Sequence, residues 1–470
     1  MSGANVSPTG RNDQDIRVLI LAAGKGTRMK SRKAKVLHKA GGRTLIEHAV
    51  RAARGVSSVS SDVYIVVGYQ IEKVKEALPG ATFIEQKEQL GTGHAVMAAR
   101  ESFAEYKGDV LVLPGDVTLV GQATLEAFVT FHRQGGYRAS VLTADVPDPA
   151  GYGRIVRRGE NAIGKIVEHR DASPAVREIK EINSGIYLFS APVLFDALTR
   201  IQNHNAQGEY YLTDVVEILV GQGVEVAAWK APEAAEILGI NTRQELAAVD
   251  AVMRRRKCEA LMSGGVTIID PASTFIDDDV VIGTDSVIYP FVQIYGESVI
   301  GDDVTIHSYS RITNSTIGAR ATLLEGCVIT ASAVGEDGLV GPFAHLRPGA
   351  ALGNKVKVGN FVEIKKSTFG EGSKAPHLAY VGDTTVGKNV NISAGVITCN
   401  YDGVDKHPTI IEDGAFIGTD SQLIAPVRIG KGAYVAAGSS ITEDVPPDAL
   451  AIARGRQAIK EGWAKRRKKK

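Results

Sequence analysis

The chain is 470 residues long and 44% hydrophobic, and its 54 lysines and arginines against 53 aspartates and glutamates leave a net charge of +1. That near-neutral balance excludes a global field favouring a polynucleotide or a membrane surface and leaves small anionic substrates open. With no run of eighteen apolar residues, and with Cys258, Cys327 and Cys399 too scattered for a zinc cluster or a disulfide framework, a cytoplasmic protein with no membrane insertion and no nucleic-acid partner is expected.

The length suits two or three domains. Residues 1–15 are polar, lack the apolar core of a leader, and read as a disordered tail. From 16 to 241, short apolar runs at 16–23, 64–67, 110–113 and 139–142 alternate with helix-patterned segments near 45–53 and 93–99. That alternation predicts an α/β domain on a mostly parallel sheet. Its first strand runs into Leu21-Ala22-Ala23-Gly24-Lys25-Gly26-Thr27-Arg28-Met29, which has neither the Walker nor the dinucleotide glycine spacing. The physics is nevertheless shared: glycines let backbone N–H groups approach a pyrophosphate, and Arg28 and Lys35 supply cations. As a bare pattern, an ordinary strand-to-helix turn is an equally good reading.

Thr242 and Glu245 have capping-box spacing and open a charged helix ended by Ser263-Gly264-Gly265, so 242–265 is expected to be a rigid linker. Arg254-Arg255-Arg256-Lys257 reads as its solvated face. Beyond it, Ile276, Ile282, Ile288, Ile294, Ile300, Ile306 and Ile312 are spaced six apart, as are Ile411, Ile417, Leu423, Ile429, Val435 and Ile441. At this composition the thirteen hits have a chance of about two in a hundred thousand. Between the series the repeat slips by one at Ile317, Leu323 and Ile329, then resumes through Leu346, Leu352, Val358 and Ile364. A helix repeats near 3.6 and a half-buried strand at 2, so six predicts a parallel β-helix over 266–445, one aliphatic side chain per flat side pointing inward. The tail, 446–470, ends in Lys465-Arg466-Arg467-Lys468-Lys469-Lys470, expected to be disordered.

The nine-residue loop, the Lys35-Val36-Leu37-His38 that follows it, and Gln89-Leu90-Gly91-Thr92-Gly93-His94-Ala95 resemble the sugar-1-phosphate nucleotidylyltransferases. The match extends through Asp148-Pro149-Ala150-Gly151-Tyr152-Gly153-Arg154, Ile166-Val167-Glu168-His169, Glu181-Ile182-Asn183-Ser184-Gly185 and the stretch from Asn205 to Asp214. Together with the solenoid they resemble the bifunctional N-acetylglucosamine-1-phosphate uridylyltransferase and glucosamine-1-phosphate N-acetyltransferase family, over about Val18 to Trp463. The resemblance implies a Rossmann-like nucleotidyltransferase domain followed by a linker helix and a left-handed hexapeptide β-helix. It implies uridylyl transfer from UTP to N-acetylglucosamine 1-phosphate with Mg²⁺. Leu21, Ala22, Ala23, Gly24, Gln86, Gly91, Thr92 and Gly115 would surround the nucleotide, and Arg28 and Lys35 would stabilise the leaving pyrophosphate. Asp116 and Asn241 would hold the metal, and Gly153, Glu168 and Asn183 would contact the sugar. Pro114 departs from the pattern, standing where an aromatic residue is common.

The solenoid is interrupted by polar residues that a scaffold does not need, at 343–349, 360–366, 374–380 and 398–403. Acetyl transfer from a thioester to an amine requires a base, a phosphate cradle and an oxyanion donor, and histidine titrates near neutral pH, which makes His377 the candidate general base. By resemblance, Arg347, Lys365, Tyr380 and Asn391 bind glucosamine phosphate, Glu363 orients His377, and Ala394, Asn400, Tyr401, Thr419, Ala437 and Arg454 lie near acetyl-CoA. His345 and Pro376 depart from the family pattern. The family forms homotrimers with acetyl-transfer sites between neighbours, and a threefold assembly is expected here. Two other readings stay open at this stage: a single-activity nucleotidylyltransferase with a regulatory β-helix, and a β-helix that only binds and trimerises.

Overall fold

Apolar strands must satisfy their backbone groups sideways, and those of the first half do so in one sheet. β1 (Ile16–Ala22), β2 (Val59–Val67), β3 (Thr82–Glu85), β4 (Asp109–Pro114), β5 (Ala139–Asp145), β6 (Arg154–Arg157), β7 (Ile163–Val167), β8 (Glu181–Ser190) and β9 (Val226–Lys230) are ordered β9-β5-β8-β4-β1-β2-β3, with β6 on β8 and β7 on β6. The block β4-β1-β2-β3 is parallel, as is β9 with β5. β8, however, runs antiparallel to both β4 and β5. The sheet is therefore mixed through one strand: the other six strands of the seven-strand path share a direction, as the mostly parallel expectation has it, while β8 follows the antiparallel β6–β7 pair instead of a full crossover helix and so re-enters from the opposite end. Helices α1 (Leu45–Gly55) and α3 (Gln122–Gln134) cover the face carrying Val18 and Ile20, while α2 (Thr92–Ala98) and α4 (Asp214–Gly221) cover the face carrying Leu19.

The coordinates are a computed structural model that describes residues 16–468, in two compact units divided between Met253 and Arg254. The expected tail at 1–15 lies outside the described residues, as do Lys469 and Lys470. Helix α5 (Arg243–Ser263) starts at the predicted box: Glu245 N donates to Thr242 Oγ1 at 3.2 Å, and Thr242 N to Glu245 Oε2 at 3.0 Å.

In the second unit the hexapeptide ladder becomes three parallel sheets, of 11, 10 and 9 strands, that wind together as a β-helix. All thirteen residues of the two ladder series are buried, Ile282 the least so at 8% exposure. Val287 pairs with Thr305 and Thr305 with Thr322, steps of 18 and then 17 residues, so the slip at Ile317 is one residue lost from a corner without loss of register. Asn391 pairs with Phe416, 25 residues on, and the surplus forms an outward loop around Tyr401 and Lys406, which pair with each other. Corners turn through left-handed backbone, at Asp285, Asp303 and Asn389 among others, residue types that tolerate it.

Two expectations fail in this unit. Arg254 and Lys257 are not a solvated face: Arg254 lies 4.2 Å from the Phe275 ring centroid and Lys257 Nζ donates to the carbonyls of Asp278 and Val280 at 2.8 and 2.7 Å. Long cationic stems can cover apolar surface while their heads find acceptors, which a charge run in sequence does not reveal. The basic run is also partly ordered, in a short exposed helix, Trp463–Arg467, with Arg467 over the Trp463 ring.

Candidate active sites

The ends of the parallel strands β1 and β4 open into a cavity of about 510 Å³. Ligands of open α/β sheets bind at such carboxyl ends. Leu21, Ala22, Ala23, Gly24, Lys35, Gln86, Gly91, Thr92, Asp116, Glu168 and Asn183, all singled out by sequence, line it. Gly115 sits just behind, its N–H donating to the Leu21 carbonyl at 2.9 Å, and the Gly153 carbonyl accepts from Asn183 N at 2.9 Å. Gly91 has φ +109°, and a Cβ there would meet the Tyr210 carbonyl at 2.6 Å, so only glycine fits this turn into α2.

At one side of the cavity Lys35 Nζ donates to Asp116 and, at 3.1 Å, to Asn241 Oδ1. Arg28 Nη2 reaches the same Asn241 oxygen at 2.8 Å. A carboxylate and an amide oxygen thus converge on one cationic point beside the glycine loop. Two hard oxygen donors there suit Mg²⁺ completed by water and substrate phosphates. Among the described residues no group of three or more His, Cys, Asp and Glu side chains could hold a metal alone. Asn241 is held in turn by Glu245, whose carboxylate accepts its backbone N–H at 2.5 Å.

Among the other lining residues, Thr213 Oγ1 donates to Glu168 Oε1 at 3.2 Å, while burial pushes the Glu168 carboxyl above its usual range. β8 bulges between Asn183 and Tyr187, with Gly185 at φ +78°; Asn183 Oδ1 accepts from Gly185 N at 3.1 Å and its Nδ2 donates to Tyr187 Oη at 2.7 Å. Bulges re-aim side chains beside sites. Thr213 lay within a matched motif without a role assigned to it, whereas Tyr187 gave no signal, being one aromatic in an apolar strand.

The second unit gathers its residues by stacking. Arg347 Nη1 donates to Glu363 Oε1 at 2.7 Å, and His345, Glu363 and Tyr380 occupy one outward column. Glu363 is thus engaged by Arg347; the group on the His377 ring is Asn360, whose Oδ1 lies 3.0 Å from Nδ1 and whose backbone pairs with His377 on the neighbouring coil. The sequence expectation that Glu363 orients His377 is replaced by Asn360. Lys365 lies against Lys406, and this second ammonium pulls its pKa down. Lys406 is a cation of this cluster that the sequence reading missed; its signal was the 25-residue spacing that expels its loop. Asn400 is buried and donates to Asp383, Asn391 Nδ2 donates to Ser393 Oγ at 2.9 Å, and Tyr401 is exposed on the loop. Ala394, Thr419, Ala437 and Arg454 are joined coil to coil: Asp420 N to the Ala394 carbonyl at 2.8 Å, Gly438 N to that of Thr419 at 2.8 Å, and Arg454 Nη1 to that of Ala437 at 2.7 Å. Of the departures, Pro114 lines the cavity and the Pro376 carbonyl packs where a Cβ on Gly359 would be.

Comparison with known proteins divides at the same place. Residues 18–213 match a MobA-like NTP transferase domain, 265–368 a GMPPB C-terminal domain, and 408–443 a bacterial transferase hexapeptide of six repeats. Across nearly the whole chain, the bifunctional protein GlmU of Koribacter versatilis is 48% identical over 456 residues, 96% of this chain and 97% of its own. Those of Geobacillus sp. strain WCH70 and Shouchella clausii are 51% and 49% identical, each over 95% of this chain. An α/β nucleotidyltransferase unit and a hexapeptide β-helix, matched together at about half identity from end to end, place the chain in the family of the bifunctional protein GlmU.

Proposed function

We propose that this bifunctional transferase acetylates glucosamine 1-phosphate from acetyl-CoA on the β-helix and then joins the product to UTP in the α/β unit, releasing pyrophosphate and UDP-N-acetylglucosamine. The observation that carries the reading is the pairing of a cavity lined by Lys35 and Asp116, with Asn241 bonded to Lys35 and Arg28 to Asn241, with a separate outward cluster of His377, Arg347, Lys365 and Lys406. The corresponding domains run over 16–241 and 266–445, with 242–265 as linker helix and 446–470 as tail.

For uridylyl transfer, a phosphate oxygen of the sugar 1-phosphate attacks the α-phosphorus of UTP and the bond to pyrophosphate breaks. Leu21 to Gly24, Gln86, Gly91 and Thr92 hold the nucleotide, Glu168 and Asn183 the sugar. Arg28 and Lys35 offset the charge gathering on the leaving pyrophosphate, the dominant requirement when both reactants are polyanions. Asp116 and Asn241 would hold Mg²⁺, which supplies further neutralisation of the phosphates.

For acetyl transfer, the amine nitrogen attacks the thioester carbonyl and coenzyme A thiolate leaves. Asn360 Oδ1 can only accept, so the Nδ1 it faces carries the proton and Nε2 is left as the base that takes the amine's proton. Arg347, Lys365 and Lys406 cradle the sugar phosphate, while Ala394, Thr419, Ala437 and Arg454 lie along acetyl-CoA. Exposed Phe291 and Tyr309, and Phe343 and Phe361, two stacked pairs at the corners of the coils, support packing against further copies, in keeping with a homotrimer in the cytoplasm.

Purified protein given acetyl-CoA should release thiol only when glucosamine 1-phosphate is present, and should release pyrophosphate from UTP with N-acetylglucosamine 1-phosphate and Mg²⁺. Absence of acceptor-dependent thiol release from folded protein would reduce the β-helix to a scaffold or regulator.

A further inference from the structure

Asn183 is accounted for at both ends, but the hydroxyl that holds it is not. Tyr187 Oη accepts from Asn183 Nδ2 at 2.7 Å, and among the described residues nothing accepts its own proton. The residue is 2% exposed, its ring is stacked on Phe189 at 5.4 Å, and it lines the 510 Å³ cavity beside Glu168 and Thr213. Burial pushes the phenol pKa upward, so the proton stays on the oxygen. A buried O–H donor with no acceptor is costly unless something that enters the site supplies one.

We propose that Tyr187 is a sugar-specificity residue of the uridylyl-transfer site, its O–H donating to an acceptor oxygen on the sugar of the incoming sugar 1-phosphate while its oxygen fixes the Asn183 amide. The proposal rests on the sugar reading of this end of the cavity. It gives Tyr187 two separable duties, one through Asn183 and one direct.

Tyr187→Phe keeps the ring and its stacking and removes only the hydroxyl. Wild-type enzyme is first shown to release pyrophosphate from UTP with N-acetylglucosamine 1-phosphate; failure there overturns the parent reading, not this one. In Tyr187→Phe, kcat/KM for the sugar phosphate should fall about tenfold, mainly through KM, with KM for UTP unchanged. Asn183→Ala and the double variant then separate the duties: direct donation predicts a further loss of at least threefold when Tyr187→Phe is added to Asn183→Ala. No further loss makes Tyr187 a positioning residue only and overturns the direct contact. An unchanged sugar KM in the single variant, or an equal rise in both KM values, overturns the proposal as a whole.

Discussion

The two units assemble their sites in opposite ways. In the first, contacts leap along the chain: Arg28 meets an oxygen 213 residues away, and Lys35 finds partners 81 and 206 residues on. In the second, nearly every contact spans one coil, with Arg347 to Glu363 16 residues apart and His377 to Asn360, Asn400 to the Asp383 carboxylate and Arg454 to Ala437 each 17 apart.

 A sheet brings distant segments to one edge, so its site can be enclosed; a solenoid brings only neighbours together, so its site stays an open outward stripe. Most cavity residues are accordingly half-buried or buried, Gly24, Lys25 and Thr92 at its mouth excepted, while Arg347 and Glu363 keep 39% and 36% of their side chains exposed.

The sharpest way to break this division is to disable one site and read the other. His377→Ala should lower acetyl transfer by about 10³-fold, and Lys35→Ala should lower uridylyl transfer by a similar factor, each leaving the other activity within about twofold. Separate coupled assays on one preparation check both. Equal loss of both activities in a folded variant would mean that the two constellations are not independent.

The same contrast governs stability. Ile306 is fully buried in the middle of the ladder, and Ile306→Ala should cost about 2–5 kcal/mol in the β-helix. Coils depend on their neighbours, so acetyl transfer should be lost at a lower temperature than in wild type while uridylyl transfer persists. Thermal inactivation followed by both assays checks this; simultaneous loss would show that the units unfold as one.

How much could be read in advance follows the same line. The ladder gave the β-helix because a period of six has few physical solutions, and every residue of it is buried. The direction of β8 was not legible, since an apolar run carries no sign of parallel or antiparallel pairing. The cavity residues were found through motifs, whereas Tyr187 was hidden inside a core strand and Lys406 inside a loop. The partner of His377 was misassigned because register decides it: Asn360 is opposite His377, and Glu363 is opposite His345 and Tyr380.

Lys406 allows a finer test of the open site. Its ammonium beside Lys365 lowers the Lys365 pKa, and a bound phosphate would relieve that repulsion. Lys406→Ala should raise KM for glucosamine 1-phosphate about tenfold at neutral pH. Because the neighbour depresses the pKa, wild-type Lys365 loses its proton at a lower pH than it does in Lys406→Ala. The alkaline rise in KM should therefore begin at a lower pH in wild type than in the variant. Identical alkaline limbs would place Lys406 away from the phosphate.

The smallest expected effect belongs to the enclosed site. Asp214 opens α4 immediately after Thr213, and burial, reinforced by Glu217 and Asp171, pushes its carboxyl pKa up to about 6. A folded pKa above the unfolded one means that the folded state holds the proton more tightly, so this group's contribution is most favourable below about pH 4 and is lost as pH rises through about 6. Asp214 is only half-buried, so screening by solvent reduces the effect to about 1 kcal/mol. Asp214→Asn should raise the unfolding temperature of the first unit at pH 7.5 by a few degrees, with the gain shrinking toward zero near pH 4. A pH-independent gain would trace the stabilisation to packing and not to charge. A loss at pH 7.5 would show that the carboxylate is needed at the start of α4, where the helix dipole favours a negative charge.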